Sequence, residues 1–263
     1  RGRPACPTGL SACAIPCLGS ACAGRIVVRA PETDVRREVR LRLALVDARG
    51  RAQHESTLPL TLFPRPVTPS GDIVVDILGQ RNGPAATLAR ALGMRPAWGR
   101  AFTAASVIVV DDMAAYRSRA RWVDKAVRDG ARVIYLELPP GGHVIGGGTV
   151  TVKACGMGPV QFVSRATGHP LVRGFAPFDF RFWFDARLGH PAPLARTIFT
   201  AEGWTPILTG GSGGWINEPW KPGLTAAERR DGRGCWRICQ VELAARTAGN
   251  PQALIFARRL LCE

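Results

Sequence analysis

A chain of 263 residues with 46% hydrophobic side chains is long and apolar enough to bury a core, which argues against intrinsic disorder as its general state. No apolar run approaches the roughly 20 residues that a membrane-spanning helix needs. The formal charge is +15, yet only Lys125, Lys153 and Lys221 are lysines, and the arginines are scattered along the chain rather than gathered in a stripe. We therefore expect neither nucleic acid nor a membrane as a partner.

The first residues carry four cysteines but no structural periodicity. Cys6, Cys13, Cys17 and Cys22 are separated by six, three and four residues, spacings that match neither paired zinc knuckles nor the usual iron–sulfur runs. We predict an unstructured N-terminal segment over residues 1–24, with no metal. The chain begins with neither an initiator Met nor a signal-peptide core, so we expect it to be a segment of a longer protein.

Apolar and polar side chains alternate in the next part of the chain. Val39, Leu41, Leu43 and Leu45 would face one side of a strand, with arginines on the other side. The pattern begins at Arg25 and predicts three antiparallel strands, too few to close a β-sandwich. We therefore predict a partial immunoglobulin-like β domain over residues 25–66, and a proline-containing linker after it.

The segment from Ser106 to Gly142 predicts a strand, a helix and a second strand. Ser106–Val110 is a short β-branched run, and Asp112 can cap a helix that starts at Met113. Gly130 would end that helix, and Arg132–Glu137 would form the next strand. A βαβ crossover implies a parallel sheet, whose functional residues lie at the carboxyl ends of the strands.

Other elements of the second domain follow from local signals. Proline after Asn82-Gly83 predicts a helix start, and glycine-rich turns predict a β-hairpin region after Gly142. We also predict a strand over Asp72–Ile77, a loop over Asn217–Gly223 and a last strand over Cys235–Leu243. Asn250-Pro251 would cap a terminal helix, whose apolar stripe consists of Leu254, Ala257 and Leu261.

The strand ends offer one candidate acid–base pair. Glu137 with Asp111 or Asp112 would place carboxylates at neighbouring strand ends. The alternative, which we favour, is that Asp112 caps the helix and Glu137 bonds to neighbouring loops. A nucleophile elbow would lie at Glu137, but Leu138 and the two prolines after it supply no Cys or Ser, so a covalent mechanism is not expected there.

Two further residue groups have competing interpretations. The four histidines, His54, His143, His169 and His190, lack metal-ligand spacing. The aromatic run between Phe175 and Phe184 is typical of a core, and a sugar platform is the alternative. We predict no cofactor and no metal.

Three segments carry a resemblance to a known family. They are HPLVR followed by GFAPFDFRFW, then WTPILTGGSGGW, and finally GRGCWRICQVELAARTAGNPQALIFARRLL. Together they resemble the C-terminal glutamine-amidotransferase-like, flavodoxin-like domain of glycoside hydrolase family 2 proteins, the β-galactosidase and β-glucuronidase superfamily. The resemblance covers residues 70–262, and it implies an α/β fold: a class I glutamine-amidotransferase-like three-layer sandwich with a parallel sheet, preceded by a partial antiparallel β-sandwich.

The resemblance also implies what this chain lacks. Class I glutamine amidotransferases carry a Cys at the elbow and a His and Glu after a late strand, in a pattern like Gln-x-His-Pro-Glu. This chain has Glu137 at the first place and Gln240-Val241-Glu242-Leu243-Ala244 at the second, so both nucleophile and base are absent. The glycosidic carboxylates of the family belong to a (β/α) barrel, and this chain shows no such pattern. The resemblance therefore implies a degenerate domain, and we assign no catalytic residue.

These observations predict a non-catalytic accessory region of a glycoside hydrolase. It would support domain packing, oligomerisation or substrate-side shaping, with an upstream catalytic domain of the same parent protein as partner. Carbohydrate and a second copy of the chain remain open as further partners. The alternatives are an active hydrolase that uses Glu137 with Asp111 or Asp112, and a carbohydrate-binding module that uses exposed tryptophans at Trp204, Trp215 or Trp220.

Overall fold

The computed structural model describes residues 28–65, 73–155, 162–165, 167–212 and 221–263. The four N-terminal cysteines therefore lie outside the described residues, as do Trp215 and Trp220. The chain divides after Leu62 into two compact units, the second running from Phe63 to Glu263.

The first unit contains an antiparallel hairpin of β1 (Arg37–Val46) and β2 (Ala52–Leu62). Asp47 forms the turn, where its Oδ1 accepts the backbone N–H groups of Arg49 and Arg51 at 2.9 Å each. Val39 lies opposite Leu60, and Leu41 lies opposite Leu58, so one face of the hairpin is apolar. The expected first strand is wrong for residues 28–30, which are not in a strand, and its residues 25–27 lie outside the described part.

The second unit is an α/β fold built on a mixed sheet. Its strands are β3 (Val74–Leu78), β4 (Arg95–Ala97), β5 (Val107–Val110), β6 (Arg132–Leu136), β7 (Gly141–Ile145), β8 (Gly148–Ala154), β9 (Phe162–Ser164), β10 (Phe182–Asp185), β11 (His190–Pro193), β12 (Thr197–Ala201), β13 (Thr205–Ser212), β14 (Lys221–Asp231) and β15 (Gly234–Cys239). Its helices are α1 (Pro84–Ala91), α2 (Met113–Asp129), α3 (Leu243–Arg246) and α4 (Pro251–Cys262).

The main sheet joins a parallel half to an antiparallel half. Its order is β4-β3-β5-β6-β15-β14-β12-β8-β7, and β13 pairs with both β14 and β9. The first five strands of this order are parallel, and β15 is where the antiparallel half begins. Strands β10 and β11 form a separate hairpin. The predicted βαβ crossover is confirmed, because β5 and β6 are parallel neighbours joined by α2.

Helices cover both faces of the parallel strands. Val107 and Val109 of β5 pack in the cluster that contains α1 and α4, whereas Ile108 and Val110 pack in the cluster that contains α2. This alternation explains why the strand is a continuous apolar run: both of its faces are buried. The edge strand β4 is short and contains Pro96, which has no backbone N–H.

Helix α2 forms as its sequence predicts. The Asp112 carboxylate accepts the backbone N–H groups of Ala114 at 2.8 Å and Ala115 at 3.3 Å. Gly130 ends the helix with φ 135°, a conformation that L side chains rarely adopt. Tyr116 and Val123 face the sheet, where Tyr116 makes edge contacts with Tyr135 and Trp236.

Strand β14 differs from the prediction, which placed a loop over Asn217–Gly223. Residues 221–223 belong to this strand, and residues 217–220 lie outside the described part. The segment is rich in Ala, Glu and Arg, which favour helices. Pairing with β13 on one side and β15 on the other overrides that preference. Glu228, buried within the strand, is compensated by Arg237 Nε at 2.7 Å.

The structure also corrects the predicted C-terminal elements in two places. The last strand ends at Cys239 rather than Leu243, and Leu243 begins the short helix α3 instead. Helix α4 follows Asn250 as expected, but Leu254 is only partly buried, whereas Phe256 and Leu260 are fully buried. The helix therefore presents a wider stripe to the core than the one predicted.

The aromatic run divides between core and surface. Phe180 contacts Phe175, Trp183 and Phe256, with ring centroids 5.0–5.6 Å apart. The other three aromatic residues are exposed: Phe178 to 68%, Phe182 to 54% and Phe184 to 41%. The core interpretation is therefore correct for half of the run.

Candidate functional site at the strand carboxyl ends

The carboxyl ends of the parallel strands bring the predicted residues to one edge of the sheet. Asp111 follows β5, Glu137 follows β6, and Gln240 follows β15. These strands are consecutive in the sheet. The edge is the place where open α/β sheets bind their ligands.

Glu137 lies directly after β6, at the turn where several α/β enzymes have a nucleophile elbow. It has φ 51°, and it is the one non-glycine residue with positive φ in the described part of the chain. Its backbone N–H donates to the carbonyl oxygen of Cys239 at 2.9 Å, which fixes the turn against β15. A left-handed conformation costs a non-glycine residue about 1–2 kcal/mol, and such strain concentrates at functional sites.

The carboxyl group of Glu137 titrates near neutrality. Burial of the carboxyl group among protein atoms and the nearby charge of Glu242 together raise its pKa to about 7. The guanidinium groups of Arg187 and Arg196 act in the opposite direction. The residue as a whole is exposed, so its carboxyl group can meet a ligand from solvent. This combination suits proton transfer near pH 7.

Asp111 is held by structural contacts. Its Oδ2 accepts the backbone N–H of Ala85 at 2.8 Å, at the start of α1. Gly79 and Gly83 leave the space for its carboxylate, since a Cβ on either glycine would overlap it. Burial raises the pKa of Asp111 although the Ala85 hydrogen bond lowers it. Asp111 and Asp112 therefore serve helix starts, as the alternative interpretation of the sequence predicted for Asp112.

Glu242 is the centre of an ion-pair network that the sequence did not predict. Its Oε2 accepts from Arg187 Nη2 at 3.0 Å and from Arg246 Nη2 at 3.3 Å, while its Oε1 lies 2.8 Å from Arg196 Nε. Arg187 and Arg246 each also contact Asp185 Oδ2 at 3.2 Å. Arg246 and Asp185 are buried, whereas the side chains of Arg187 and Arg196 are exposed to 60% and 69%.

The network changes the pKa of Asp185. Burial alone would raise this pKa, but hydrogen bonds from Arg187 and the charge of Arg246 outweigh burial and lower it to about 2. No local spacing reveals the network, because Asp185 and Arg187 lie on the β10–β11 hairpin, far in sequence from Glu242. Its only sequence signal is the pair Glu242 and Arg246, one helical turn apart.

Gln240 has a structural role at the same edge. Its Oε1 accepts the backbone N–H of Leu138 at 2.8 Å, and its Nε2 donates to the Leu138 carbonyl oxygen at 2.9 Å and to Thr197 Oγ1 at 2.6 Å. All of its polar atoms are therefore engaged. In the pattern that the resemblance implies, Gln240 matches the glutamine, and Glu242 and Ala244 stand where the catalytic His and Glu would lie.

Three of the four histidines, all of which lie in the described residues, are bonded to backbone atoms. His143 Nε2 lies 2.8 Å from the Pro139 carbonyl oxygen, His169 Nδ1 accepts from Leu171, and His190 Nδ1 lies 2.9 Å from the Pro191 carbonyl oxygen. Within the ranges that the structure describes, no group of three or more His, Cys, Asp and Glu residues has the geometry to hold a metal ion.

Trp204 is not a sugar platform, because only 7% of it is exposed and its indole packs in the core cluster beneath α2. The alternative that used this residue as an exposed tryptophan is therefore wrong for Trp204. Among the described helices, none is both long and apolar enough to pass through a membrane.

Comparisons with known proteins find remote neighbours. No family model matches the chain, and no curated protein matches it. Among solved structures, a β-galactosidase from Rahnella sp. R3 is similar at 13% identity and TM-score 0.42, over 73% of this chain and 31% of that chain. An exo-β-1,4-mannosidase from Opitutaceae bacterium strain TAV5 is similar at 11% identity and TM-score 0.35, over 72% and 35%.

A cytoplasmic protein from Salmonella typhimurium LT2 is similar over more of its own length, with 10% identity, TM-score 0.38, and coverage of 85% of this chain and 92% of that chain. This chain spans about a third of each of the two glycoside hydrolases. Glycoside hydrolases are thus among its structural neighbours, at low identity and partial coverage. At these scores the similarity carries no argument about the chemistry of the site.

Proposed function

We propose that the chain is a non-catalytic accessory region of a glycoside hydrolase, which supports domain packing, oligomerisation or substrate-side shaping beside a catalytic domain of the same parent protein. The observation that carries this proposal is the state of the strand ends. The elbow holds Glu137 rather than a thiol or hydroxyl nucleophile. After β15, Glu242 stands where the resemblance implies the catalytic His, and its carboxylate is paired with arginines.

The other carboxylates near Glu137 support the same proposal. Glycoside hydrolysis usually needs two carboxyl groups, one of which acts as acid and the other as base or nucleophile. Asp111 holds the start of α1, Asp112 caps α2, and Glu242 is paired with arginines. Glu137 therefore lacks a second carboxylate free to work with it among the residues described at this edge.

Turnover assays on the purified chain test the proposal. We expect no hydrolysis of glutamine or of aryl glycosides above the rate in buffer, together with a defined oligomeric state in sedimentation. Turnover that is abolished by Glu137→Gln, and retained by the control Glu202→Gln, would overturn the non-catalytic assignment. The control residue is also an exposed glutamate, and it lies in the turn between β12 and β13.

A second candidate function uses Glu137 alone as a general acid or base in a hydrolase. Two observations favour it: the left-handed backbone that presents this side chain, and the pKa of about 7. Any activity would then follow a single ionisation near pH 7 and would disappear in Glu137→Gln. An activity whose pH profile is the same in wild type and Glu137→Gln would exclude this candidate.

Carbohydrate binding through Trp215 or Trp220 stays a prediction, since both lie outside the described residues. Titration with oligosaccharides, followed by tryptophan fluorescence, tests it. A saturable change that Trp215→Ala or Trp220→Ala removes would support binding, whereas an unchanged signal at millimolar sugar would count against it.

A further inference from the structure

A cavity of about 410 Å³ lies at the amino ends of β3, β5 and β6. It is at the opposite end of these strands from Glu137, so it is separate from the site described above. Its volume falls in the range of roughly 300–1,000 Å³ that is typical of small-molecule sites. Its polar lining consists of one carboxylate, two guanidinium groups and two hydroxyl groups: Asp76, Arg100, Arg132, Thr103 and Ser106.

Asp76 is the unusual member of this lining. Its side chain is 6% exposed, yet its Oδ1 has no hydrogen-bond partner in the described part of the chain. Arg100 Nε is 3.9 Å from Oδ1, too far for a hydrogen bond. Burial raises the pKa of Asp76, although a hydrogen bond from Ser106 lowers it. A buried carboxylate oxygen without a partner is unfavourable, and a ligand that donates to it would remove the penalty.

The backbone explains why the carboxylate lies there. Val75 and Ile77, its neighbours on β3, pack in the core cluster with α1, so Asp76 points to the opposite face of the sheet. Within the sheet it pairs with Ala97 of the short edge strand β4 on one side and with Ile108 of β5 on the other. Asp76 therefore interrupts the apolar residues of β3 with a buried carboxylate that lines the cavity.

The arginines supply the opposite charge. Arg132 begins β6, and its charge reaches the thiol of Cys262, which also lines the cavity. Arg100 is half-exposed at the mouth. A matching ligand must carry both a hydrogen-bond donor and an anionic group. We propose that this cavity binds a small hydroxylated anion, with a hydroxyl group donating to Asp76 Oδ1 and the anionic group accepting from Arg132 and Arg100.

Calorimetric titration of the full chain tests the proposal. The probes are D-glucuronate and glucose 6-phosphate, which share hydroxyl groups but differ in their anion, with glucose and inorganic phosphate as controls. We expect saturable binding of at least one hydroxylated anion, about 10-fold or more tighter than both controls, as expected when one charge-assisted hydrogen bond is lost. Failure of both probes, or equal binding of glucose or inorganic phosphate, would overturn the proposal.

Three variants assign the binding to the cavity. Asp76→Asn and Arg132→Gln should each weaken binding about 10-fold or more. Arg95→Gln is the matched control, because Arg95 begins β4 at the same end of the sheet but does not line the cavity. If Arg132→Gln binds as wild type does, or if Arg95→Gln loses binding to the same extent, the site is not this cavity.

The melting temperature of the ligand-free chain gives a second readout. Asp76→Asn should melt at or above the temperature of wild type, because it removes an unsatisfied buried charge. A clearly lower melting temperature would mean that the fold itself already satisfies the carboxylate, and it would overturn the proposal. This outcome is independent of the function proposed for the Glu137 edge.

Discussion

The side-chain amide of Gln240 pairs with the backbone of Leu138, 102 positions earlier in the chain. It accepts from the Leu138 N–H and donates to the Leu138 carbonyl oxygen, so it extends the parallel pairing of β6 and β15 beyond the last residues of both strands. Glu137 lies immediately before Leu138, and its own N–H bonds to Cys239. These contacts hold the left-handed turn at Glu137 from both sides.

Replacing Gln240 should therefore loosen this turn. In Gln240→Leu the backbone N–H and carbonyl oxygen of Leu138 lose their partner while they stay buried, and we expect a loss of about 1–3 kcal/mol in the free energy of unfolding. Chemical denaturation measures the change. Gln252→Leu, on the half-buried side of α4, is the control and should change stability by less than about 0.5 kcal/mol. Equal effects of the two variants would contradict this role.

In the ion-pair network around Glu242, loss of a buried arginine should lower the free energy of unfolding far more than loss of an exposed one. Arg246 is buried, donates to the carbonyl oxygens of Trp183 and Pro193 and contacts Asp185, so Arg246→Met leaves a buried carboxylate poorly compensated. We expect a loss of about 3–5 kcal/mol. Arg196→Gln removes an exposed guanidinium from Glu242, and we expect a loss below about 1 kcal/mol. Denaturant titrations of both variants measure the difference, and a similar loss in the two would be inconsistent with it.

The backbone at Glu137 predicts an unusual response to glycine. Glycine normally destabilises by roughly 0.5–1 kcal/mol, because it has more freedom in the unfolded chain. At φ 51° it also removes a strain of about 1–2 kcal/mol, so Glu137→Gly should leave stability unchanged or slightly raised. Glu202→Gly, at an exposed glutamate without positive φ, should lower stability by the usual amount. A larger loss of melting temperature in Glu137→Gly than in Glu202→Gly would contradict the backbone strain at Glu137.

Protonation of Glu137 should make stability depend on pH. Its folded pKa of about 7 lies above its ordinary value of 4.5, so the folded chain binds this proton more tightly than the unfolded chain does. The resulting stability is fully present below pH 4.5 and is lost as the pH rises towards 7. Melting temperatures of wild type should therefore fall relative to those of Glu137→Gln between these values. Parallel curves for the two proteins would show that the pKa is not raised.

A separate pH window belongs to Asp185. Its folded pKa of about 2 lies below its ordinary value of 3.8, so this contribution is present above pH 3.8 and is lost as the pH falls towards 2. The contribution of Glu137 to stability falls as the pH rises, whereas that of Asp185 falls as the pH drops, and the two pH ranges do not overlap. Measurements between pH 4.5 and 7 therefore report on Glu137 without interference from Asp185.

The sequence predicts the parts of this fold whose signals are local. The βαβ segment follows from a β-branched run, a capping Asp112 and a terminating Gly130, each of which acts within a few residues. Strand β14 was not predictable in this way, because its Ala, Glu and Arg residues favour helix and only pairing with β12, β13 and β15 stabilises it as a strand.

The candidate site was predictable only in part, for the same physical reason. Glu137 and Asp111 were identified because parallel strand ends meet at one edge. The two arginines that lower the pKa of Glu137 were not identified, because Arg187 lies in the turn between β10 and β11 and Arg196 lies between β11 and β12, and both approach this edge through tertiary packing. The sequence did not predict the cavity at Asp76, because an aspartate in a short apolar strand does not by itself show whether its oxygen atoms have hydrogen-bond partners.

Pro96 in the edge strand β4 has a consequence for assembly. An exposed sheet edge invites further strands, and a second chain would need the outward N–H groups of β4 to pair with it. The proline removes one such group from a strand of only three residues, while the strand keeps its pairing with β3 on the inner side. Addition of a further strand at β4 is therefore less favourable than it would be at an edge with all of its N–H groups.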